Sequence, residues 1–209
     1  MAITQTMTQA EVLDLCRQRG AYLRGHFQLT SGLHSPEYLQ CARLLAHPAD
    51  AERLGRALAE ALASILAKAA GGSHHPIDFV TAPALGGLII GHEVARAFQC
   101  RFLFTERDGN GHMALRRGFA VEPGERGVVV EDVITTGGST KETIAVFHSA
   151  GATIMAGGSI IDRSGGQAEI GLPRVALATL AVETYPPESC PLCAKGEPLV
   201  KPGSRNTAS

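Results

Sequence analysis

Residues 128–139 combine carboxylates, hydroxyls and glycines in an order that could bind the phosphate ester of a sugar. Three valines lead into Glu131 and Asp132, and a Thr-Thr-Gly-Gly-Ser turn follows at residues 135–139. Such a turn at the start of a helix offers backbone N–H groups, hydroxyls and the positive end of the helix dipole to a phosphate. The two carboxylates can accept hydrogen bonds from ribose hydroxyls or hold a hydrated Mg²⁺.

The segment differs from two common nucleotide-binding motifs. It has neither the Gly-Lys-Ser/Thr ending of a Walker A loop nor the Gly-x-Gly-x-x-Gly pattern of a dinucleotide site.

The elements around this segment alternate between apolar strands and amphipathic helices. The patterns predict strands at 77–82, 101–105, 127–133, 153–162 and 175–180, and helices at 87–98 and 139–150. This alternation is typical of an α/β fold with a doubly wound, mainly parallel sheet. The 128–139 turn would then lie at a carboxyl end of that sheet.

The N-terminal part of the chain precedes this alternation. Thr8 and Glu11 match a capping box, which predicts a short helix that Gly20 ends. An extended segment at 27–40 and a long Ala- and Leu-rich helix at 49–70 follow.

Length and charge limit the classes of function. The chain has 209 residues, which favours a single domain, 1–209. Its formal net charge of −1 provides no broad basic field for a nucleic acid, so we expect no nucleic-acid partner. The apolar stretches are shorter than a membrane span, and no secretory signal is visible, so we expect no membrane partner and a cytoplasmic location.

The five cysteines are an odd number and do not form a disulfide pattern. A reducing compartment is consistent with this composition. Cys190 and Cys193 alone form a Cys-x-x-Cys pair, which is half of a zinc site. Further ligands would have to come from elsewhere in the chain or from a second subunit.

Residues 128–139 closely resemble the phosphoribosyl-diphosphate-binding signature of type I phosphoribosyltransferases. Residues 27–38 resemble the Phe-x-Leu-x-Ser-Gly segment of orotate phosphoribosyltransferases, and 83–87 and 160–166 resemble that family's diphosphate loop and Asp-Arg segment. The resemblance covers about residues 12–166. It implies the type I phosphoribosyltransferase fold with a small N-terminal hood at about 8–45, and we expect an irregular C-terminal arm at 185–209.

The resemblance also implies which residues bind each substrate. Orotate would contact Thr135 and Arg163, and a guanidinium suits its carboxylate because it binds in a bidentate fork. Glu131 and Asp132 would stabilise the sugar during catalysis, with Mg²⁺ held mainly by the substrate. The residues implied to bind phosphoribosyl diphosphate are Glu131, Asp132, Val133, Ile134, Thr135, Thr136, Gly137, Gly138 and Ser139.

The chain departs from the family pattern where lysines contact phosphate. Thr30 and Gly86 stand where better-known members place lysines, and the family's lysine-rich mobile loop is here a glycine-rich segment with arginines, 106–118. Our hypothesis is that Arg107, with Arg116 or Arg117, lies over the leaving diphosphate, and that His112 donates a hydrogen bond or a proton.

Two other functions share these features. A purine phosphoribosyltransferase would keep residues 131–139 and use a different base pocket. A non-catalytic sensor of phosphoribosyl diphosphate would keep the binding site without turnover, and the missing lysines are compatible with it. The family resemblance further implies a homodimer in which the mobile loop of one subunit covers the active site of the other.

Overall fold

A computed structural model describes the chain at residues 7–29, 31–69 and 77–202. Thr30 lies outside the described residues, as do the end of the predicted long helix at residue 70 and the last residues of the predicted arm, 203–209.

The main sheet confirms the predicted α/β class. Within the described residues it contains, in spatial order, β5 (Met113–Leu115), β4 (Arg101–Arg107), β3 (Phe79–Pro83), β6 (Arg126–Ile134), β7 (Thr153–Asp162) and β8 (Arg174–Thr179). Neighbouring strands run parallel except β4 and β5. The strand order reverses between β3 and β6, and ligands of such sheets bind at the carboxyl ends beside this reversal.

Helices cover both faces of this sheet. The long helix α3 (Pro48–Ala69) and α4 (Gly87–Phe98) lie on one face, and α5 (Gly138–Ser149) lies on the other. Successive side chains of β6 point to opposite faces of the sheet, so each face has its own core. Val128 and Val130 pack on the α3 side, and Val129 packs with Phe147 of α5.

The hood is smaller than the predicted segment 8–45. Helices α1 (Gln9–Gln18) and α2 (Cys41–Leu45) bury their apolar side chains in the main core rather than in a separate unit. The capping box of α1 is confirmed, because the Glu11 N–H donates to Thr8 Oγ1 at 3.3 Å and the Thr8 N–H donates to Glu11 Oε2 at 2.7 Å. The hood is then a small sheet of β1 (Tyr22–Gln28), β2 (His34–Leu39) and β9 (Leu199–Val200).

The C-terminal arm, residues 185–202, is more regular than predicted. It contains a 3₁₀ turn (Pro187–Ser189), the short helix α6 (Pro191–Ala194) and strand β9. Strand β9 pairs in parallel with β1, and His34 and Tyr185 exchange backbone hydrogen bonds of 2.8 and 2.9 Å. The arm was predicted to be irregular because elements this short leave no periodicity in a sequence with many prolines and glycines.

The polar segment 106–118 begins as a β-hairpin. Strand β4 continues to Arg107 and pairs antiparallel with β5. In the turn, the Asp108 carboxylate accepts the N–H groups of His112 at 2.9 Å and Asn110 at 2.8 Å, and these hydrogen bonds lower the pKa of Asp108. The mobility of the segment stays a prediction.

Among the helices that the structure describes, none is both long enough and apolar enough to span a membrane.

Candidate active site

Two loops meet at the carboxyl ends of β3 and β6. After β3, a turn at residues 84–86 leads into α4, and its Ala84–Leu85 peptide bond is cis. After β6, residues 135–137 lead into α5. Gly86 lies against Asp132: a Cβ atom added to Gly86 would lie 2.5 Å from Asp132 Oδ1. In this arrangement a side chain at position 86 would therefore displace the carboxylate.

Glu131 and Asp132 lie side by side near the end of β6, and both are half-buried. Burial raises the pKa of both carboxyls, and the Asp132 charge raises that of Glu131 further. Asp132 Oδ1 accepts the Val133 N–H at 2.8 Å. Glu131 Oε2 is buried and has no hydrogen-bond partner within the described part of the chain. A buried carboxylate oxygen without a partner is unfavourable, so a ligand donor would complete this site.

The turn after the acidic pair has the geometry of an anion site. Gly137 precedes α5 with φ 78°, and a Cβ atom there would lie 2.9 Å from Ile170 Cγ2, so glycine is required on both grounds. Thr135 and Thr136 are exposed, and Gly138 and Ser139 form the first turn of α5. The first N–H groups of a helix have no partner inside it, so they are available to a phosphate.

A cavity of about 450 Å³ opens beside this turn. The hood and the segment before the C-terminal arm form its other walls. Its lining residues are Leu29, Ser31, Leu33, Tyr38, Leu39, Gln40, Cys41, Asp132, Val133, Thr135, Thr136, Arg163, Val182 and Thr184. The structure thus brings five of the predicted substrate-binding residues, Asp132, Val133, Thr135, Thr136 and Arg163, to one cavity. The Ile134 side chain is buried in the core, so only its backbone remains available to a ligand.

Asp162 anchors the segment that carries Arg163. Asp162 Oδ1 accepts the Ser164 N–H at 2.8 Å and hydroxyl at 2.6 Å, and its Oδ2 accepts Arg174 Nη1 at 2.6 Å. Burial alone would raise the pKa of Asp162, but these hydrogen bonds from Ser164 and Arg174 lower it. The Arg163 N–H donates to Ile134 O at 2.8 Å, which ties the segment to the end of β6.

The Arg163 side chain lines the cavity and forms no ion pair with the residues that the structure describes. Its Nε is buried and has no hydrogen-bond partner among the described residues. Burial lowers the pKa of its guanidinium. A buried guanidinium donor without an acceptor favours a ligand that brings a carboxylate.

Arg107 and His112 lie outside the cavity that Asp132 and Arg163 line. They line a separate hollow of about 530 Å³ between the hairpin and α5. Arg107 Nη1 donates to Gly111 O at 2.5 Å and to Glu142 Oε2 at 2.9 Å. Arg116 and Arg117 form ion pairs with Glu106 at 3.5 and 2.8 Å. Within one chain, the structure therefore does not place Arg107 or His112 among the residues that line the cavity with Asp132.

Sequence reasoning missed part of the cavity. Tyr38 ends the segment 27–38 and was not predicted to contact a substrate, but it is half-buried in the wall, and burial raises the pKa of its hydroxyl. Its place in that segment was the available signal. Val182 and Thr184 belong to no motif, and only the fold brings them to the cavity.

We compared the chain with known proteins. The orotate phosphoribosyltransferase of Heliobacterium modesticaldum is 49% identical over 199 residues, which are 95% of this chain and 100% of that protein. The orotate phosphoribosyltransferase of Desulforamulus reducens is 47% identical over 199 residues, 95% of this chain and 98% of its own length. No family model matches the chain.

Solved structures agree with these relatives. The crystal structure of orotate phosphoribosyltransferase from Aeropyrum pernix has a TM-score of 0.61 and 28% identity, and the match covers 81% of this chain and 93% of that one. A crystal structure of adenine phosphoribosyltransferase, at 16% identity and a TM-score of 0.58 over 79% of this chain and 98% of that one, shares the fold alone. Asp132, Thr135 and Arg163 line one cavity, and identities of 47% and 49% to curated relatives over 95% of this chain show that it belongs to the orotate phosphoribosyltransferase family.

Proposed function

We propose that the chain transfers the phosphoribosyl group of 5-phosphoribosyl 1-diphosphate to orotate, which gives orotidine 5′-phosphate, the precursor of UMP, and diphosphate. The observation that carries this proposal is the position of Arg163. Its buried Nε has no partner in the described part of the chain, and Arg163 lines the same cavity as Asp132 and Thr135, so an anionic base and a phosphorylated sugar can be bound together.

The charges of the cavity suit the two substrates in different places. The 5-phosphate fits the turn at 135–139, where the start of α5 offers N–H groups. The ribose hydroxyls fit the carboxylates of Glu131 and Asp132, which can accept their hydrogen bonds. The orotate carboxylate fits Arg163 in a bidentate arrangement, near Thr135 and Tyr38.

The reaction breaks the bond between ribose C1 and the diphosphate oxygen and forms a bond from C1 to the ring nitrogen N1 of orotate, which loses its proton. Positive charge develops on the ribose as the diphosphate leaves. Carboxylates fixed beside the ribose stabilise that charge more than they stabilise the neutral substrate, which lowers the barrier. Glu131 and Asp132 have this role in our proposal.

Mg²⁺ is the cofactor that we propose. The chemistry of the donors fits, because Glu131 Oε2 has no partner within the described residues and hard carboxylate oxygens suit this ion. We expect the substrate diphosphate to hold the ion mainly, with Glu131 and Asp132 contacting its water shell. When bound, the ion would neutralise charge that develops on the leaving diphosphate.

We further propose a homodimer in which the β4–β5 hairpin of one subunit covers the cavity of the other. Leu85, in the turn that follows β3, and Ile89, in the first turn of α4, support an apolar contact beside the site, because they are 76% and 46% exposed. The placement of Arg107 and His112 outside their own chain's cavity also fits a role in the partner's site. A cytoplasmic location is consistent with the unpaired cysteines among the described residues.

The decisive experiment is a substrate comparison. Purified protein with Mg²⁺ and phosphoribosyl diphosphate is given orotate, uracil, adenine or hypoxanthine, and nucleotide products are separated by chromatography. We expect product from orotate alone, because a purine or uracil lacks the carboxylate that Arg163 would bind. Product from a purine would establish the purine alternative. Binding of phosphoribosyl diphosphate without product from any base would establish the sensor.

A further inference from the structure

The hood and the C-terminal arm bring together side chains that the transfer reaction does not use. Among the described residues, His26 of β1, His34 of β2, Cys190 and Cys193 form a group whose potential metal-ligand atoms all lie within 4.8 Å of one another. His26, His34 and Cys190 are 3%, 4% and 3% exposed, and Cys193 is exposed. The Cys-x-x-Cys pair thus acquires two histidines from the same chain, which sequence spacing alone did not indicate.

The distances within this group match a tetrahedral metal site. His26 Nε2 lies 2.9 Å from His34 Nδ1, 3.5 Å from Cys190 Sγ and 3.6 Å from Cys193 Sγ, and Cys193 Sγ lies 3.3 Å from His34 Nδ1. Around a tetrahedral Zn²⁺, ligand nitrogens are about 3.3 Å apart, and a nitrogen and a sulfur are about 3.6 Å apart. The remaining pairs of ligand atoms lie within 4.8 Å of one another. Two sulfurs around a tetrahedral Zn²⁺ are about 3.8 Å apart, so shifts of up to about 1 Å would convert the observed arrangement into a complete coordination shell.

The backbone directs both histidines to the same point. The register of β1 and β2 shifts between Arg24 and Phe27, so Gly25 and His26 lie opposite a single residue of β2. His34 pairs with Gln28, two residues beyond His26, so the two histidines are diagonal neighbours on one face of the hairpin. Their rings meet edge to face with centroids 4.8 Å apart.

A carbonyl fixes the His26 ring as metal-binding histidines require. His26 Nδ1 lies 2.8 Å from Glu197 O, and a carbonyl can only accept, so Nδ1 carries the proton. The lone pair of Nε2 then points toward the two sulfurs and His34. This contact from the second nitrogen to a backbone carbonyl is the arrangement that orients histidine ligands of zinc.

We propose that His26 Nε2, His34 Nδ1, Cys190 Sγ and Cys193 Sγ bind one Zn²⁺ as a closed structural site. Two thiolates and two imidazoles form the Cys₂His₂ set that this ion prefers, and complete protein coordination leaves no open position for catalysis. Binding would release the two thiol protons. The site lies in the hood, outside the cavity that contains Asp132 and Arg163.

The ion would hold the C-terminal arm against the hood. Without it, the described connections include the short β1–β9 pairing and the His34–Tyr185 bridge. Residues just beyond these connections, Leu33 on the hood and Thr184 before the arm, line the substrate cavity. Loss of the ion would therefore loosen one wall of the cavity while the main sheet stays folded.

The test begins with the wild-type chain, free of affinity tags. It is loaded with Zn²⁺, passed through gel filtration and analysed for metal by mass spectrometry, and a second sample is loaded with Co²⁺ for its absorption spectrum. We expect about one zinc per chain, a thiolate-to-cobalt charge-transfer band and the visible bands of tetrahedral Co²⁺. Removal of zinc with a chelator should lower the Tm by roughly 10 °C, and zinc should restore it.

Matched cysteine variants identify the ligands. Cys193→Ser changes an exposed residue, so it should fold, and it should reduce bound zinc at least about tenfold and abolish the cobalt charge-transfer intensity of that thiolate. Cys190→Ser should reduce bound zinc and the cobalt charge-transfer intensity in the same way. Cys100→Ser is the control, because Cys100 is half-buried outside the group, and it should keep one zinc per chain.

Wild-type protein that holds less than about 0.2 zinc per chain after loading would overturn the proposal. Unchanged zinc content in both Cys190→Ser and Cys193→Ser, or a Cys190–Cys193 disulfide in protein purified without oxidant, would also overturn it. The base-specificity assay asks a different question, because it identifies which base reacts and does not report the zinc content.

Discussion

Gly86 and Asp132 are packed so closely that a Cβ atom on Gly86 would lie 2.5 Å from the carboxylate oxygen Oδ1. The turn before α4 and the acidic pair of β6 therefore fix each other's positions across the strand-order reversal. Because Gly86 has no side chain, it leaves the space that the Asp132 carboxylate occupies.

Replacement of Gly86 by alanine should impair catalysis more than folding. The methyl group would displace Asp132 by about 1 Å, and errors of this size near reacting groups reduce rates by about 100-fold. We expect kcat/KM for phosphoribosyl diphosphate to fall by about that factor, as measured by steady-state kinetics. Gly109→Ala, where the added Cβ has open space, controls for the effect of the substitution on Tm. Wild-type kinetics in Gly86→Ala would contradict this role.

Arg163 should determine the affinity for orotate. Loss of a charge-assisted hydrogen bond in a buried site is worth about 1.5–3 kcal/mol, or about 10- to 150-fold. We expect Arg163→Ala to raise the KM of orotate by such a factor and that of phosphoribosyl diphosphate by less than about threefold. Arg101→Ala, which removes an exposed arginine paired with Glu125, is the matched control and should change neither constant. Equal effects on both substrates would contradict a specific contact with orotate.

The sequence predicted the parts of the site that lie within continuous segments. The acidic pair lies near the end of β6, the phosphate turn follows β6 and Arg163 follows β7, and parallel strands bring their carboxyl ends to one edge. Five of the six strands described in this sheet were also predicted within a few residues, because their apolar runs are buried, whereas β5 lies in the polar segment and was not predicted.

What the sequence could not predict depends on contacts between distant segments. Val182 and Thr184 reach the cavity between two isolated bridges, Ser164–Ala181 and His34–Tyr185, which leave no pattern in the sequence. His26 and His34 meet Cys190 and Cys193 across more than 150 positions, and the register shift in β1 that directs His26 leaves no periodic signal. The prediction for Arg107 and His112 depends on a second subunit, which one chain's sequence does not position.

The acidic pair should make the free protein less stable as pH rises. The pKa of Glu131 and that of Asp132 are raised in the folded state, so their contribution to stability is full below the unfolded pKa values and is lost as pH rises through the folded ones. Glu131→Gln should therefore raise the Tm at pH 8 by about 2–4 °C, which corresponds to about 1 kcal/mol, and have little effect at pH 4. Thermal unfolding at both pH values, with Glu125→Gln as a control outside the site, tests this expectation. A stabilisation that is equal at both pH values would contradict ionisation as its cause.

The contribution of the Asp162–Arg174 ion pair to stability should have the opposite pH dependence. The pKa of Asp162 is lowered in the folded state, so its contribution to stability is present above the unfolded pKa and is lost as pH falls through the folded one. Arg174→Met should cost about 3–5 kcal/mol, because it leaves a buried carboxylate with one partner fewer. Urea unfolding at pH 7 and pH 3 measures this, and the difference between wild type and variant should shrink at the lower pH. A difference that stays constant with pH would assign the loss to packing of the Arg174 side chain instead.

A mixture of two inactive variants should show whether the hairpin acts on the partner subunit. Arg107→Ala removes a hairpin cation and should reduce kcat about 100-fold, and Asp132→Asn disables the cavity. If the hairpin covers the partner's cavity, a mixed dimer has one complete site, formed by the cavity of one variant and the hairpin of the other. Because half of randomly formed dimers are mixed, a 1:1 coexpression should recover about a quarter of wild-type activity.

If the hairpin acts within its own chain, each site in a mixed dimer carries one defect and no activity returns. The same mixture with His112→Ala instead of Arg107→Ala tests the imidazole separately from the guanidinium. It is informative only if His112→Ala alone is impaired, because activity can be recovered only where it was first lost.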